Sequence, residues 1–351
     1  MFRVTDDIRI EAIKPLVPPA ILMEDLPITD TASETVTAAR RATADCLHGR
    51  DGRLVVVAGP CSIHDADAAR EYAEKLKKQA DRLADDLLII MRVYFEKPRT
   101  NVGWKGLIND PFIDDSFSIN KGLHIARGLL VDLAEQGIPA GCEFLDTIMP
   151  QFIADLVSWG AIGARTTESQ VHRELASGLS CPIGFKNATN GNVQVAADAI
   201  EAARHPHHFL SVTKQSVAAI VSTKGNDDCH MILRGGSDGP NYDSECLTAT
   251  STLLKQQNLP HRLMIDCSHG NSRKDAANQP RVASEIAAML TIGNCPVFGL
   301  MLESNLKAGR QNVTPGTPLA YGQSITDECI GWDDTVNVLE MLARAVNQSR
   351  R

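Results

Sequence analysis

The chain has 351 residues, of which 43% are hydrophobic and 22% are charged. A chain of this length and composition is typical of a globular protein and can bury one large core or two modest ones. The formal net charge of −8 argues against a surface that binds nucleic acid or an anionic membrane, so we expect any anion to bind at a local cluster of cations.

The ends of the chain and its cysteines predict a location in the cytoplasm. We expect no signal peptide, because residues 1–10 lack the charged-then-apolar pattern, and no apolar run approaches about 18 residues. The nine cysteines are scattered and none forms a C-x-x-C pair. This odd number favours reduced thiols and argues against a disulfide framework or a structural zinc cluster.

Residues 1–50 are predicted to form an N-terminal extension that precedes a main domain at 51–351. Residues 6–10 are a candidate extended segment, a proline-containing connection follows, and a helix is predicted near 31–47. A segment this small cannot bury its own apolar face, so we expect it to dock on the body of the protein or on another subunit.

From Leu54 onward, short apolar runs alternate with amphipathic segments. The predicted strands are 54–59, 87–93, 140–145, 161–165, 183–186, 230–234, 263–266 and 297–303. The predicted helices are 66–83, 123–136, 150–158, 192–203, 244–257, 281–290 and 334–349. This alternation favours an α/β fold of the (β/α)8 TIM barrel type. A doubly wound open sheet is the alternative, which is weakened because no G-x-G-x-x-G follows the first strand.

Two β-like runs, at 208–212 and 217–222, interrupt the alternation. Only four residues separate them, which predicts a β-hairpin at about 208–222 inserted between barrel units. A ninth strand of the main sheet is the alternative.

Polar or ionisable side chains stand at the carboxyl end of every predicted strand. They are Cys61, Arg92, Glu143, Arg165, Lys186, Arg234, His269 and Glu303. In a barrel these ends converge on one site. The cations among them, joined by Lys97 from the loop after the second strand, would repel one another unless a multiply charged anion bound between them. The sequence therefore predicts a ligand with both a phosphate and a carboxylate, or two phosphorylated ligands.

A second group at the strand ends offers metal ligands. It consists of Cys61, His269, Glu303 and a carboxylate from the segment 324–327. A thiolate, an imidazole and two carboxylates suit a divalent transition metal (Mn²⁺, Fe²⁺, Co²⁺ or Zn²⁺) without selecting one. Each residue alone is more simply explained as core, as a structural histidine or as a helix cap, so the metal interpretation depends on their shared placement.

Several long motifs indicate a family. They are Gly-Pro-Cys-Ser-Ile-His at 59–64, Lys-Pro-Arg-Thr at 97–100 running into 103–111, and the segments 160–169, 184–187 and 232–236. These resemble 3-deoxy-D-arabino-heptulosonate 7-phosphate (DAHP) synthases of the short microbial and fungal class I alpha form, over nearly the whole chain. The resemblance implies a TIM barrel that condenses phosphoenolpyruvate with erythrose 4-phosphate, the first step of the shikimate pathway.

The resemblance also implies a role for each matching residue. The metal ligands would be Cys61, His269, Glu303 and Asp327. Phosphoenolpyruvate would contact Arg92, Lys97, Glu143, Arg165, Lys186 and Arg234. Erythrose 4-phosphate would contact Lys97, Pro98, Arg99, Thr100 and Asp327. The catalytic residues would be Cys61 and His269 at the metal, and Lys97 as proton donor to the new alkoxide.

Members of this family are commonly inhibited by an aromatic amino acid. The matching positions are Asp6, Asp7, Ile10, Gln151, Ser180, Phe209, Ser211 and Val221. In the family, Ser at the Ser211 position accompanies sensitivity to phenylalanine and Gly there accompanies sensitivity to tyrosine, so the predicted inhibitor is phenylalanine. A homotetramer or homodimer is implied as well.

Four positions depart from the family pattern, namely Asn101, Ala188, Asn190 and Arg310, and none is a predicted ligand or a predicted phosphoenolpyruvate cation. The alternatives are an octulosonate 8-phosphate synthase, which uses arabinose 5-phosphate, and a non-catalytic amino-acid sensor on the same barrel. The motif at 97–100 and the N-terminal arm favour the erythrose substrate. The presence of every predicted ligand and cation argues against the sensor.

Overall fold

Eight parallel strands form a closed barrel in the computed structural model, which describes residues 3–99, 103–293, 295–314 and 316–350. The barrel strands are β1 (Leu54–Gly59), β2 (Leu87–Arg92), β3 (Ala140–Glu143), β4 (Val157–Ile162), β5 (Ile183–Lys186), β8 (Cys229–Leu233), β9 (Leu263–Asp266) and β10 (Val297–Glu303). They follow one another around the barrel in chain order, and β10 pairs with β1 to close it. The predicted TIM barrel is confirmed, and the open sheet is excluded.

Helices surround the barrel. They are α1 (Pro19–Asp25), α2 (Asp30–Leu47), α3 (Ala66–Arg82), α4 (Ile119–Glu135), α5 (Pro150–Ile153), α6 (Gln170–Gly178), α7 (Gln194–Arg204), α8 (Ser244–Gln256), α9 (Gln279–Ile292) and α10 (Trp332–Ser349). Side-chain caps fix several of their starts: Thr29, Asp65 and Asp243 accept hydrogen bonds from the first-turn amides of α2, α3 and α8. Within the described residues, no helix has the length and apolar character needed to cross a membrane.

Side-chain alternation along the strands builds two apolar layers. On β1, Val55 and Val57 face the barrel interior, where they join Trp159 and Phe298, whereas Val56 packs in the larger layer between the strands and the helices. Because both faces of each strand are buried, the strands are continuous apolar runs, which made most of them recognisable in the sequence.

The predictions around β4 were wrong. A helix was expected at 150–158, but α5 ends at Ile153, a 3₁₀ turn covers Ala154–Leu156, and β4 already starts at Val157. The predicted strand at 161–165 is therefore displaced, and Arg165 lies in the loop after β4. A short apolar segment does not distinguish a helix from a buried strand by periodicity alone, which explains the error.

The N-terminal extension docks on the barrel through α2. Cys46 and Leu47 pack against the interior apolar layer, and the Arg40 guanidinium donates to the carbonyls of Ala154 and Val157 at the start of β4. Residues 3–16 are exposed. The predicted extended segment at 6–10 is wrong, because the Asp6 carboxylate accepts from the Asp7 amide and the chain turns there.

The inserted hairpin is present. Strands β6 (His208–Val212) and β7 (Ala218–Ser222) pair antiparallel in a sheet of their own, so the ninth-strand alternative is wrong. Their alternation gives the hairpin two faces: Leu210 and Ile220 are exposed to solvent, whereas Phe209 and Val221 are half-buried on the other side.

A neutral histidine lies inside the barrel. His230 on β8 is fully buried; its Nε2 accepts from Trp159 Nε1 at 3.2 Å, which leaves Nδ1 to donate to the Asp228 carbonyl at 3.2 Å. Burial lowers the pKa of His230 to about 4.

This histidine should make stability depend on acid pH. Between about pH 6.5 and pH 4 the unfolded chain binds a proton at this position and the folded chain does not, so stability falls as pH falls through this window, by up to about 3 kcal/mol. We expect the unfolding free energies of the protein and of His230→Gln, measured in urea at pH 7 and pH 4, to differ in their pH dependence by this amount. Parallel curves for the two proteins would contradict the assignment.

Candidate active site

The carboxyl ends of the barrel strands gather the predicted charged residues. Arg92, Glu143, Lys186 and Glu303 are the last residues of β2, β3, β5 and β10, and Arg234 follows β8 directly. Glu143 reaches the loop after β4, because a Cβ at Gly163 would lie only 2.1 Å from its Oε1. This loop also carries Arg165, so cations and carboxylates from most of the strands meet at one end of the barrel.

Three of the predicted metal ligands form one group. The ligand atoms of Cys61, Glu303 and Asp327 all lie within 4.8 Å of one another. Cys61 and Glu303 are buried, whereas the Asp327 side chain is 64% exposed. The fourth predicted ligand, His269, lies beside them with Nε2 4.0 Å from Glu303 Oε1.

The His269 ring is held from its other nitrogen. Nδ1 lies 3.0 Å from Asp266 Oδ2 and 2.7 Å from Ser268 Oγ, and the backbone adopts φ = 55° to place the ring there. A carboxylate that binds Nδ1 keeps the proton on that nitrogen and leaves Nε2 as an acceptor. Nε2, on the Glu303 side, is then free to bind a metal.

Asp266 is a functional candidate that the sequence reasoning missed. It is fully buried and also accepts from Lys186 Nζ at 2.8 Å, so that one carboxylate holds both a predicted metal ligand and a predicted phosphoenolpyruvate cation. Although burial opposes its ionisation, Lys186 and His269 hold the pKa of Asp266 well below its usual range. The sequence signal that could have indicated Asp266 is its position as an acidic residue at the end of an apolar strand.

The environment of Cys61 opposes ionisation of its thiol. Burial, together with the Glu303 charge, raises the pKa of Cys61 to about 11, although Lys97 Nζ lies only 2.9 Å from its sulfur. The cluster has the donors of a transition-metal site: one sulfur, one imidazole nitrogen and carboxylate oxygens. A divalent cation would supply the positive charge that the thiolate needs, so these residues fit a metal ion.

Arg92 connects the metal ligands to the cations. Its side chain is 1% exposed, and it donates to Glu303 Oε1 at 2.9 Å, to the carbonyls of Pro60 and Cys61, and to the Met301 sulfur. These contacts fix the guanidinium and leave one N–H of Nη1 without a partner among the described residues. Gly59 allows this packing, because a Cβ there would lie 2.5 Å from the Arg92 carbonyl oxygen.

Other predicted cations lie at the same end of the barrel as this pair. Lys97 is buried and lies 3.7 Å from Asp327 Oδ2. Arg234 is half-buried, and burial together with the nearby Arg165 charge lowers its pKa. Since like charges at this depth are tolerated when an anion binds between them, the arrangement favours an anionic ligand.

The residues predicted to bind erythrose 4-phosphate differ in their burial. Lys97 is buried, Pro98 is half-buried and Arg99 is exposed. Thr100 lies outside the described residues.

A separate cavity of about 840 Å³ contains five of the predicted inhibitor contacts. It lies between α2, the α5 segment, the end of α6 and the inner face of the hairpin. The predicted residues in its wall are Gln151, Ser180, Phe209, Ser211 and Val221. The other three, Asp6, Asp7 and Ile10, lie in the exposed arm and do not line this cavity.

Hydrogen bonds lead from this cavity to the Lys97 loop. Lys214, from the hairpin turn, donates to the Gln151 carbonyl at the start of α5. Asp146 accepts from the Ile148 and Met149 amides just before α5, and the Asp146 amide in turn donates to Glu96. Glu96 is buried and directly precedes Lys97 in the sequence. Its burial, together with the nearby charge of Asp146, raises the pKa of Glu96 to about 8.

Comparison with known proteins shows the family. The model of the DAHP synthetase I family matches residues 26–340. The chain belongs to the DAHP synthetase I family. The predicted resemblance and the predicted enzyme class, 3-deoxy-7-phosphoheptulonate synthase, are therefore confirmed.

Similar proteins cover almost the whole chain. The Escherichia coli (strain K12) protein named phospho-2-dehydro-3-deoxyheptonate aldolase, Phe-sensitive, is 56% identical over 98% of both chains. A tyrosine-inhibited aldolase of the same name from Schizosaccharomyces pombe is 52% identical over 99% of this chain and 94% of its own. The solved structure of the aldolase from Francisella tularensis SCHU S4 has a TM-score of 0.95 and 55% identity, covering 97% of this chain and 100% of that chain. Inhibition by an aromatic amino acid thus recurs among relatives of the DAHP synthetase I family, while the amino acid differs.

Proposed function

We propose that this protein uses a divalent metal ion to condense phosphoenolpyruvate with erythrose 4-phosphate and water, giving DAHP and phosphate, in the shikimate pathway. The observation that carries the proposal is the buried pair of Arg92 and Glu303, 2.9 Å apart. It joins the group of metal ligands to the cluster of cations, so that an aldehyde beside the metal ligands and an anionic enol phosphate beside the cations would lie next to each other.

The cations would bind and orient phosphoenolpyruvate. This substrate carries a carboxylate and a phosphate, and its charge matches a cluster that several cations share. The cations proposed for this contact are Arg92, Lys97, Arg165, Lys186 and Arg234, and Glu143 would position phosphoenolpyruvate or a water. Holding both anionic groups fixes C3 of the enol toward the second substrate, which removes much of the entropy cost of the reaction.

Cys61, His269, Glu303 and Asp327 would hold the metal ion, which when bound supplies Lewis acidity to the aldehyde. The π electrons of the phosphoenolpyruvate C2=C3 bond form a bond from C3 to the aldehyde carbon, whose C=O π pair becomes the alkoxide. Water adds at the electron-deficient C2 and loses one proton to the solvent. The C2–O bond of the phosphohemiketal then breaks, the hydroxyl proton passes to the departing phosphate, and the C2 ketone forms. Lys97 would give a proton to the new alkoxide. Although burial opposes its charge, the neighbouring Cys61, Glu303 and Asp327 raise the pKa of Lys97, so it is protonated and able to donate.

An assay of turnover tests this function. We expect phosphoenolpyruvate absorbance to fall only when erythrose 4-phosphate is present, to stop falling in EDTA, and to resume when Mn²⁺ is restored. Turnover with arabinose 5-phosphate alone would change the second substrate and the pathway. Absence of turnover with every divalent metal, in a folded protein that binds phenylalanine, would contradict the proposal and favour a sensor.

We also propose that phenylalanine inhibits the enzyme by binding in the 840 Å³ cavity. The exposed arm would supply Asp6, Asp7 and Ile10 to this cavity in a neighbouring subunit of a homodimer or homotetramer. Exposed apolar side chains in the arm, such as Ile8 at 70% and Ile13 at 83%, support an intersubunit contact. The hydrogen bonds through Asp146 and Glu96 offer a route from the bound inhibitor to Lys97. A cytoplasmic location stays a prediction.

Substitution Ser211→Gly is expected to shift inhibition from phenylalanine toward tyrosine. The Ser211 side chain faces the cavity, and its removal makes room for the additional hydroxyl of tyrosine. Inhibition curves with both amino acids measure the change, for which we expect a shift in relative potency of about tenfold, or about 1.4 kcal/mol. Ser216→Gly, in the hairpin turn and outside the cavity wall, is the matched control. Unchanged inhibition in Ser211→Gly would count against phenylalanine as the ligand of this cavity.

A further inference from the structure

Tyr94 lies beneath the cation cluster. It follows β2 by two residues, is fully buried, and packs with Ile90, Trp159 and Phe298 in the interior apolar layer of the barrel. The Arg92 guanidinium lies over its ring, 3.5 Å from the ring centroid. This stacking fixes the plane of the guanidinium. The Tyr94 ring therefore helps to position Arg92, which is a predicted substrate contact.

The hydroxyl of Tyr94 has no hydrogen-bond partner among the described residues, although it is buried. A buried donor without a partner costs stability, and native structures contain few such groups. Tyr94 follows Arg92 by two residues, at the end of the barrel where Glu143 and Asp266 also end their strands. Its ring therefore lies at the end of the barrel that carries the proposed substrate site.

We propose that the Tyr94 hydroxyl donates a hydrogen bond to an anionic oxygen of bound phosphoenolpyruvate, next to the Arg92 Nη1 N–H that has no partner in the described part of the chain. This inference rests on the proposed function. Burial raises the pKa of Tyr94 well above its usual value, which keeps the hydroxyl protonated and a donor. Tyr94 would then be a binding residue. Its unpaired hydroxyl lowers the stability of the free protein and gains a hydrogen-bond acceptor when the substrate binds.

Two substitutions separate the hydroxyl from the ring. Tyr94→Phe keeps the stacking on Arg92 and removes only the hydroxyl, whereas Tyr94→Leu removes both. Ser158→Ala is the matched control, because Ser158 also carries a buried hydroxyl without a partner among the described residues. Ser158 is next to Trp159 on β4, so alternation places it on the face away from the barrel interior.

The experiment measures phosphoenolpyruvate binding by calorimetry and thermal unfolding in the same proteins. For Tyr94→Phe we expect the dissociation constant to rise about tenfold or more, as for a lost hydrogen bond to a charged group, while the unfolding midpoint stays equal or rises. Tyr94→Leu should weaken binding further and lower the midpoint, and Ser158→Ala should leave binding unchanged. If the unsubstituted protein binds phosphoenolpyruvate and the dissociation constant of Tyr94→Phe is within twofold of its value, this inference is wrong and the proposed function stands. If the unsubstituted protein does not bind phosphoenolpyruvate, the proposed function fails and this inference with it.

Discussion

Substitution Cys61→Ala is expected to abolish metal-dependent turnover. It removes the only sulfur from a group whose ligand atoms lie within 4.8 Å of one another. Loss of a partner that merely supports a ligand costs about 10–100-fold in metal affinity, so loss of the thiolate itself should lower Mn²⁺ affinity by at least about 100-fold. Calorimetric titration with Mn²⁺ and the turnover assay measure the two effects.

The matched control for this experiment is Cys229→Ala. Cys229 is equally buried but starts β8, at the end of the strand opposite to the ligands. We expect the Cys229→Ala variant to bind Mn²⁺ with the same affinity as the unsubstituted protein. Full activity of Cys61→Ala after removal of metal would show that the metal has no role in the reaction.

Substitution Asp266→Asn is expected to damage both stability and metal binding. Asparagine keeps the shape but removes the charge that pairs with Lys186 at 2.8 Å, and Lys186 is 4% exposed. A buried cation left without its partner typically costs about 3–5 kcal/mol. The His269 ring loses its anchor at the same time, for which we expect a further decrease of about 10–100-fold in metal affinity.

Urea unfolding and Mn²⁺ titration of Asp266→Asn provide the two measurements. Asp132→Asn is the control, because Asp132 pairs with Arg70 at the same distance of 2.8 Å but both side chains are about 40% exposed. An exposed ion pair contributes at most about 1 kcal/mol. Equal destabilisation in the two variants, with unchanged metal affinity in Asp266→Asn, would mean that Asp266 holds neither group.

The barrel could be predicted because both faces of its strands are buried. Runs such as 54–59 and 297–303 contain almost only apolar residues. Strands β1 and β10 begin and end at the predicted residues. The failure at β4 has the same origin, since the three-residue turn Ala154–Leu156 between the short helix α5 and β4 contains neither Gly nor Pro to mark the boundary. Helix α1 was missed although Pro19 is its first residue, a position that proline favours.

The sequence was sufficient to predict which residues form the candidate site, but not which hydrogen bonds and ion pairs connect them. Strand ends converge in any TIM barrel, which is sufficient to bring Arg92, Lys186 and Glu303 together. The sequence does not indicate which carboxylate pairs with which cation, because those pairs join residues up to about 200 positions apart, as in Arg92 with Glu303. The role of Asp266 follows only from its two contacts, and the left-handed backbone of His269 has no clear sequence signal.

Crystals soaked with Mn²⁺ and phosphoenolpyruvate test the central claim most directly, because anomalous diffraction locates the metal without reference to activity. The claim is that the metal ligands and the cations form one active site. We expect one strong anomalous peak bonded to Cys61, His269, Glu303 and Asp327, with phosphoenolpyruvate density beside it on Arg92. A metal bound elsewhere, or phosphoenolpyruvate bound away from the strand ends in an active crystal, would contradict the account.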